Sequence, residues 1–159
     1  MQINRTTDYA LRILIYLGQE NRIVSSSEIA NGMRISQRYL FSIAKKLKKR
    51  GYIKVRFGPD GGYSIAKPLH TVSLYDILIL MEGTITVSRC LTQENHCEDK
   101  PCVLHDAYSF LQDIIECYTQ NLTIDMLVGK PVDTWHKAII NNLDEVRRQH
   151  QESGKSLSQ

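Results

Sequence analysis

Three cysteines raise the first chemical question this sequence poses. Cys90, Cys97 and Cys102 fall at the spacing C-x6-C-x4-C, and His105 follows Cys102 after two intervening residues. Thiolate sulfur selects soft centres such as iron–sulfur clusters, zinc or copper(I) over hard cations. Pro101 and the helix start predicted behind it hold Cys102 beside helix N-terminal amides, which favour the thiolate. A loop this polar is a poor setting for cysteines kept only for packing. The residues leave open an iron–sulfur cluster, a zinc site, or a redox disulfide between two of the three. The C-x2-C knuckles usual in structural zinc sites are absent, and only Cys102-x2-His105 speaks for that metal. Cys117 lies in the middle of an amphipathic stretch and reads as a packing cysteine.

A second pattern, upstream, is made of charge. Between Ile29 and Pro59 stand nine basic residues (Arg34, Arg38, Lys45, Lys46, Lys48, Lys49, Arg50, Lys54, Arg56) and no Asp or Glu. The rest of the chain holds eleven basic and all seventeen acidic residues, so the formal net charge of +3 conceals a strong segregation. Such a surface faces a polyanion.

The elements that carry this charge can be read from periodicity. Thr6 to Gly18 is expected to form a first helix with Leu11, Leu14, Ile15 and Leu17 as its apolar stripe and Gly18 as its stop. Ser25 and Glu28 have capping-box spacing and open a short second helix to about Met33. After the turn Arg34-Ile35, Ser36 caps a third helix ending at Gly51, which completes a helix-turn-helix. In that third helix Leu40, Ile43, Ala44 and Leu47 form a core stripe, while Arg38, Phe41, Ser42 and Lys45 share the opposite face, with Lys49 one turn on. A helix lying in the major groove requires this division. Phe41 is placed either to touch a thymine methyl or to pack on the first helix. Tyr52 to Arg56 and Tyr63 to Ala66 are strands joined by the turn Gly58-Pro59-Asp60-Gly61-Gly62, a wing whose Arg56 and glycine tip could enter a minor groove.

Beyond the wing, Ser73 caps a helix from Leu74 to Glu82, and Thr84 to Ser88 is an extended connector. A long helix after Pro101 carries Leu104, Tyr108, Leu111, Ile115, Tyr118 and Leu122, a stripe with no obvious partner in so short a chain; a second subunit is expected to cover it. Thr123 to Val128 forms a short turn of helix. Pro131 opens a last helix (Trp135, Ile139, Leu143, Val146) ending near Gln149, and the tail from Glu152 is expected to be disordered. Hydrophobic content of 42% and charged content of 23% are those of a soluble domain. No run spans a membrane and no signal peptide opens the chain, so a cytoplasmic location is expected. No phosphate loop, no His-Glu-x-x-His and no nucleophile–base pair is found, which excludes the common enzyme classes.

The order of these residues resembles the Rrf2 family of bacterial transcription regulators. The resemblance is carried by Thr7-Asp8-Tyr9-Ala10-Leu11-Arg12, by Ser36-Gln37-Arg38-Tyr39-Leu40, by Gly61-Gly62-Tyr63-Ser64-Ile65-Ala66, by Glu82-Gly83, Arg89-Cys90 and Cys102-x2-His105, and by Leu122-Thr123-Ile124. It implies a homodimer on a palindromic operator, with the long helices crossed and the cysteine loop near the partner's DNA-binding head. It also implies a 4Fe-4S or 2Fe-2S cluster on Cys90, Cys97 and Cys102. The fourth ligand would be Asp8 of the partner subunit or His105, with the opening Thr7-Asp8-Tyr9 leaning toward the nitric-oxide-sensing subgroup. Two departures stand out: the middle cysteine is moved by one position, and Phe57 stands where the family wing often carries Arg.

The expected fold is therefore mainly α with a small β-hairpin. A winged helix-turn-helix occupies residues 1–67, a linking helix and connector 68–89, a cysteine loop 90–105, a dimerisation helix region 102–130, and a C-terminal helix and tail 131–159. The expected DNA-contacting residues are Ser36, Gln37, Arg38, Tyr39, Phe41, Ser42, Lys45, Lys46, Lys49, Arg56 and Gly61. The expected function is a repressor controlled by an iron–sulfur cluster that senses nitric oxide, redox state or iron supply. The alternatives are a cluster-free thiol sensor and a zinc-stabilised DNA-binding protein.

Overall fold

The computed structural model of the chain describes residues 3–92, 102–129 and 131–155. In chain order it contains α1 (Arg5–Glu20), α2 (Ser26–Met33), α3 (Gln37–Lys49), β1 (Ile53–Arg56), β2 (Gly62–Ile65), α4 (Leu74–Glu82), α5 (Val103–Asn121), α6 (Ile124–Leu127) and α7 (Val132–Lys155). Single 3-10 turns lie at Leu69–Thr71 and Arg89–Leu91. The architecture is the expected helical one with a two-stranded antiparallel hairpin. Among the described residues no helix is long and apolar enough to cross a membrane.

Asn4 caps α1 by accepting from the Thr7 N–H at 2.9 Å. Its buried stripe is Ala10, Ile13, Leu14 and Leu17, rotated from the expected one; Leu11 and Ile15 pack at its edge. Gly18 does not end the helix. It lies inside α1 because Leu69 and Val128 pack over it, and a Cβ there would stand 2.6 Å from Leu69 Cδ1. The helix stops at Asn21, whose left-handed backbone (φ 46°) lets its N–H bond the Leu17 carbonyl.

Only half of the expected capping box forms on α2. Ser25 Oγ accepts from the Glu28 N–H at 3.1 Å, but the Glu28 carboxylate is taken by Tyr16 Oη at 3.0 Å and by Arg22. Arg34 makes the turn in a left-handed conformation (φ 54°), and Ser36 caps α3 by accepting from the Tyr39 N–H. Leu40, Ile43, Ala44 and Leu47 are all buried, as the stripe predicts.

The hairpin pairs Ile53 with Ile65, Lys54 with Ser64, Val55 with Tyr63 and Arg56 with Gly62. It is fastened to the α1–α2 link by two backbone hydrogen bonds of 2.8 Å between Val24 and Tyr63. Gly62 allows that approach, because a Cβ there would lie 2.2 Å from the Val24 carbonyl oxygen.

The complete capping box of the chain's described residues is on α4. Asp76 N–H donates to Ser73 Oγ, and Ser73 N–H donates back to Asp76 Oδ2 at 2.9 Å. At the other end of α4, Glu82 accepts from the Asn4 N–H at 3.0 Å, from Asn4 Nδ2 at 2.7 Å and from Thr7 Oγ1 at 2.5 Å. The carboxylate thus clasps the start of α1, where unsatisfied N–H groups favour negative charge.

The stripe on α5 is only partly without a partner in its own chain. α5 packs on α4 and α7, Leu122 and Thr119 are buried, and Asn142 Nδ2 donates to Asn121 Oδ1 at 2.9 Å. Its first turn is exposed, with Val103 82% and Leu104 61% accessible. The last helix also exceeds expectation, running to Lys155.

Two outcomes follow from this packing. Gly62→Ala must open the Val24–Tyr63 pairing and is expected to cost about 1–3 kcal/mol in urea denaturation. Glu82 is held below the ordinary carboxylate range, first by the Thr7 hydroxyl and then by the Asn4 N–H. Its contribution to stability is therefore complete above the unfolded value of about 4.3 and is lost as pH falls through the lower folded value. Between about pH 5 and about pH 3 wild-type protein should lose more urea stability than Glu82→Gln, whose clasp cannot titrate.

Candidate nucleic-acid interface and cysteine centre

With its apolar stripe fixed in the core, the direction of every other α3 side chain follows. At about 100° per residue, Arg38, Ser42, Lys45 and Lys49 share an arc of about 60° opposite that stripe. All four are exposed. Ser42 Oγ donates to the Tyr39 carbonyl at 2.7 Å and keeps its lone pairs for a donor from outside. Lys46, Lys48 and Lys49 crowd the last turn, where the helix dipole favours cations.

The two flanks of this face are occupied differently. On one lie Tyr39 and Lys46. Tyr39 is half-buried, exchanges a 3.1 Å hydrogen bond with Thr6 Oγ1, and meets the Tyr9 ring edge-on at 5.7 Å. Lys46 is exposed and helps to hold the Glu82 carboxyl low, behind the hydrogen bonds from Thr7 and Asn4. The other flank carries Gln37, Phe41 and Lys48. Gln37 Nε2 donates to Ser27 Oγ at 2.9 Å, which locks α2 to the start of α3. Phe41 is 47% exposed, so it does not bury itself on α1.

At the wing, Lys54 and Arg56 point away from the core-facing Ile53 and Val55 and are exposed. Gly61 closes the turn, with its N–H donating to the Gly58 carbonyl at 3.0 Å. A Cβ on Gly61 would stand 2.5 Å from the Arg56 carbonyl oxygen. Ser36 remains exposed at the head of α3.

The cysteine centre begins at the connector leaving α4. Gln112 of α5 holds that connector by accepting from the Val87 N–H at 2.8 Å, while its amide donates to Glu116 at 2.7 Å. The 3-10 turn Arg89–Leu91 consequently rests on α5. Cys90 and Cys102 are free, half-buried thiols. Cys90 Sγ donates to Ser88 Oγ at 3.2 Å. Cys102 is the N-cap of α5, and its carbonyl accepts from the His105 N–H at 3.0 Å. His105 is exposed in the first turn of that helix. Cys97 lies outside the described residues.

Asp8 sits on the first turn of α1 and pairs with Arg12 at 2.7 Å, half exposed, beside an open cleft lined also by Tyr9, Met33 and Arg34. Among the described residues of one chain no three His, Cys, Asp or Glu side chains assemble into a group able to hold a metal ion. Cys117 stays in the body of α5, where burial pushes its thiol up and Asn121 lies 3.7 Å from its sulfur. That suits its packing role.

Sequence reading missed the clasp of Glu82 on Asn4 and Thr7, the tie between Tyr39 and Thr6, and the hold of Gln112 on the connector. Each is a polar contact between residues far apart in the chain, for which periodicity gives no signal. Glu82 and Thr7 did fall within the motifs that carried the resemblance.

Comparison with known proteins supplies the family. Residues 3–130 match the family model described as Rrf2, iron-dependent transcriptional regulator. The chain is 30% identical over 127 residues to the HTH-type transcriptional regulator NsrR of Bacillus licheniformis, covering 75% of this chain and 89% of that one. Among solved structures, it superposes on CymR, the global cysteine regulator of B. subtilis, with a TM-score of 0.69 at 22% identity, covering 80% of this chain and 96% of the other. IscR of T. potens gives 0.61, also at 22% identity, over 80% of this chain and 86% of its own. These two likenesses speak for the fold, and the family match speaks for the role. The chain belongs to the Rrf2 family and is a helix-turn-helix transcriptional regulator of that type, not an enzyme.

Proposed function

We propose that the protein is a homodimeric repressor that reads a palindromic duplex operator and whose affinity is set by an iron–sulfur cluster. The observation that carries DNA reading is the division of α3, with its apolar stripe buried and Arg38, Ser42, Lys45 and Lys49 presented together. Tyr39 and Lys46 then serve at the edge toward α1, Ser36 and Gln37 at the helix N-terminus, Phe41 at the outer flank, and Arg56 with Gly61 at the wing. The exposed apolar start of α5, Val103 and Leu104 with Leu111, supports a second copy as its cover.

Cys90 and Cys102 are free thiols of the kind an iron–sulfur cluster takes, and Cys97 would be the third. Asp8 of the partner subunit or His105 would complete the set. When bound, the cluster supplies an iron centre reactive toward nitric oxide and oxygen. The chain's own residues provide the connection to DNA. Gln112 fixes the connector that leaves α4, Glu82 at the end of α4 grips Asn4 and Thr7, and Thr6 and Tyr9 of the same helix hold Tyr39 on α3. Release of Asp8 from Arg12 would disturb the first turn of α1, at the head of that chain of contacts. Such a switch acts only through a difference in operator affinity between the two states.

Binding to duplex DNA should weaken steeply with salt, and Lys45→Ala and Lys49→Ala should each lower the slope by about one. Affinity independent of salt would remove the DNA reading. Anaerobically purified protein should contain iron and acid-labile sulfide, and Cys90→Ser, Cys97→Ser or Cys102→Ser should abolish both. Asp8→Ala and His105→Ala, compared by absorption spectroscopy, decide the fourth ligand. Colourless, iron-free protein after reconstitution defeats the cluster reading. Zinc in that protein, or a response to thiol oxidants lost in the triple Cys→Ser variant, would then identify which alternative holds.

A further inference from the structure

The wing carries a residue that neither the core nor the basic reading face accounts for. Alternation along β1 turns Ile53 and Val55 inward and Lys54 and Arg56 outward. Phe57 follows with inward parity, but the strand has ended and there is no core left to receive it. Its ring is 83% exposed, the most exposed large hydrophobic side chain among the described residues. Lys48 of α3 stands over it, with Nζ 5.6 Å from the ring centroid. That contact sets the wing tip against the flank of α3 that also carries Phe41.

The surroundings identify the partner. No acidic residue occurs from Ile29 to Pro59, and Asp60 at the tip is the first. An apolar ring surrounded by cations suits a polyanion with an accessible apolar interior. A helix in the major groove carries the hairpin beside it to the adjoining minor groove. Proteins that bind there insert Phe and similar side chains between base steps, unstacking them and bending the duplex.

We infer that Phe57 is a DNA-contacting wedge, set by Lys48 against the minor groove next to the segment read by α3. This rests on the DNA-binding reading and adds to it a specificity that electrostatics would not give. A narrow A-tract would attract an arginine at this position. A phenyl wedge favours the flexible pyrimidine–purine steps TA and CA/TG, which unstack easily.

The test uses anaerobically purified full-length protein and a duplex that the wild-type protein enriches from a random pool. A 2-aminopurine is placed in the flank outside the bases protected by α3. Wild-type binding should raise the aminopurine fluorescence, and the enriched flank should contain TA or CA/TG steps. Phe57→Ala should weaken binding about tenfold or more, with the salt slope unchanged and the fluorescence rise lost. Phe57→Trp should keep both. Because the ring is exposed, the thermal melting of Phe57→Ala should match wild type, which separates lost contact from lost fold. Lys45→Ala should show the converse, a shallower salt slope with the fluorescence rise retained. Wild-type affinity or an intact fluorescence rise in Phe57→Ala overturns the assignment. If wild-type protein enriches no duplex, the DNA reading fails first, and this one with it.

Discussion

Burial of one side of a single helix orients the chain's exposed basic face. Leu40, Ile43, Ala44 and Leu47 of α3 are packed among Ala10, Leu14 and Leu17 of α1, Ile29 of α2 and Tyr52 and Ile53 at the foot of the hairpin. Each large side chain so buried contributes about 1.5–3 kcal/mol. Rotating α3 to present any other face would expose that stripe and bury lysines instead. Arg38, Ser42, Lys45 and Lys49 therefore cannot turn away from solvent without unfolding the head, and the surface stands ready before any ligand arrives.

A small set of polar contacts joins this rigid head to the rest of the chain. Glu82 gathers two donors from Asn4 and one from Thr7, which binds the end of α4 to the beginning of α1. One residue before Thr7, Thr6 reaches Tyr39, so the first turn of α1 touches both α4 and α3. Asp8 stands on that same turn, paired with Arg12. The cysteine connector is held from the other direction by Gln112. The first turn of α1 is thus tied to α4 and to α3 at once, through hydrogen bonds of which those to the charged Glu82 are the stronger.

Legibility in the sequence followed the physics of each element. The α3 stripe was read residue for residue, because burial on one side imposes a period close to the helical repeat. The hairpin was found within a residue at each end, since Gly58-Pro59-Asp60-Gly61-Gly62 admits little but a turn. Gly18 misled: glycine after an apolar stripe signals a stop, but here it marks the place where Leu69 and Val128 come close. The capping box expected on α2 failed to close for a similar reason, while Ser73 caps α4 as expected. Ser25 and Glu28 have the spacing, but Tyr16 and Arg22 compete for the carboxylate, whereas the Asp76 carboxylate accepts from the Ser73 N–H.

The sequence by itself determined that a basic, acid-free segment forms a helix-turn-helix with a wing, and that soft-ligand cysteines follow it. Local periodicity, caps and composition suffice for this, because each depends on neighbours within one or two turns of chain. Tertiary structure decided the rest. It turned Tyr39 toward α1 instead of outward, left Phe41 half in water, brought Lys48 over Phe57, and gave half of the α5 stripe a partner within its own chain. Those outcomes depend on which surfaces meet across long separations in sequence, and there burial and polar satisfaction must be met together. The cysteines show both sides of this. Their types and spacing are written in the sequence, but that Gln112 of α5 reaches back to the Val87 N–H, three residues before Cys90, is a contact only the fold supplies.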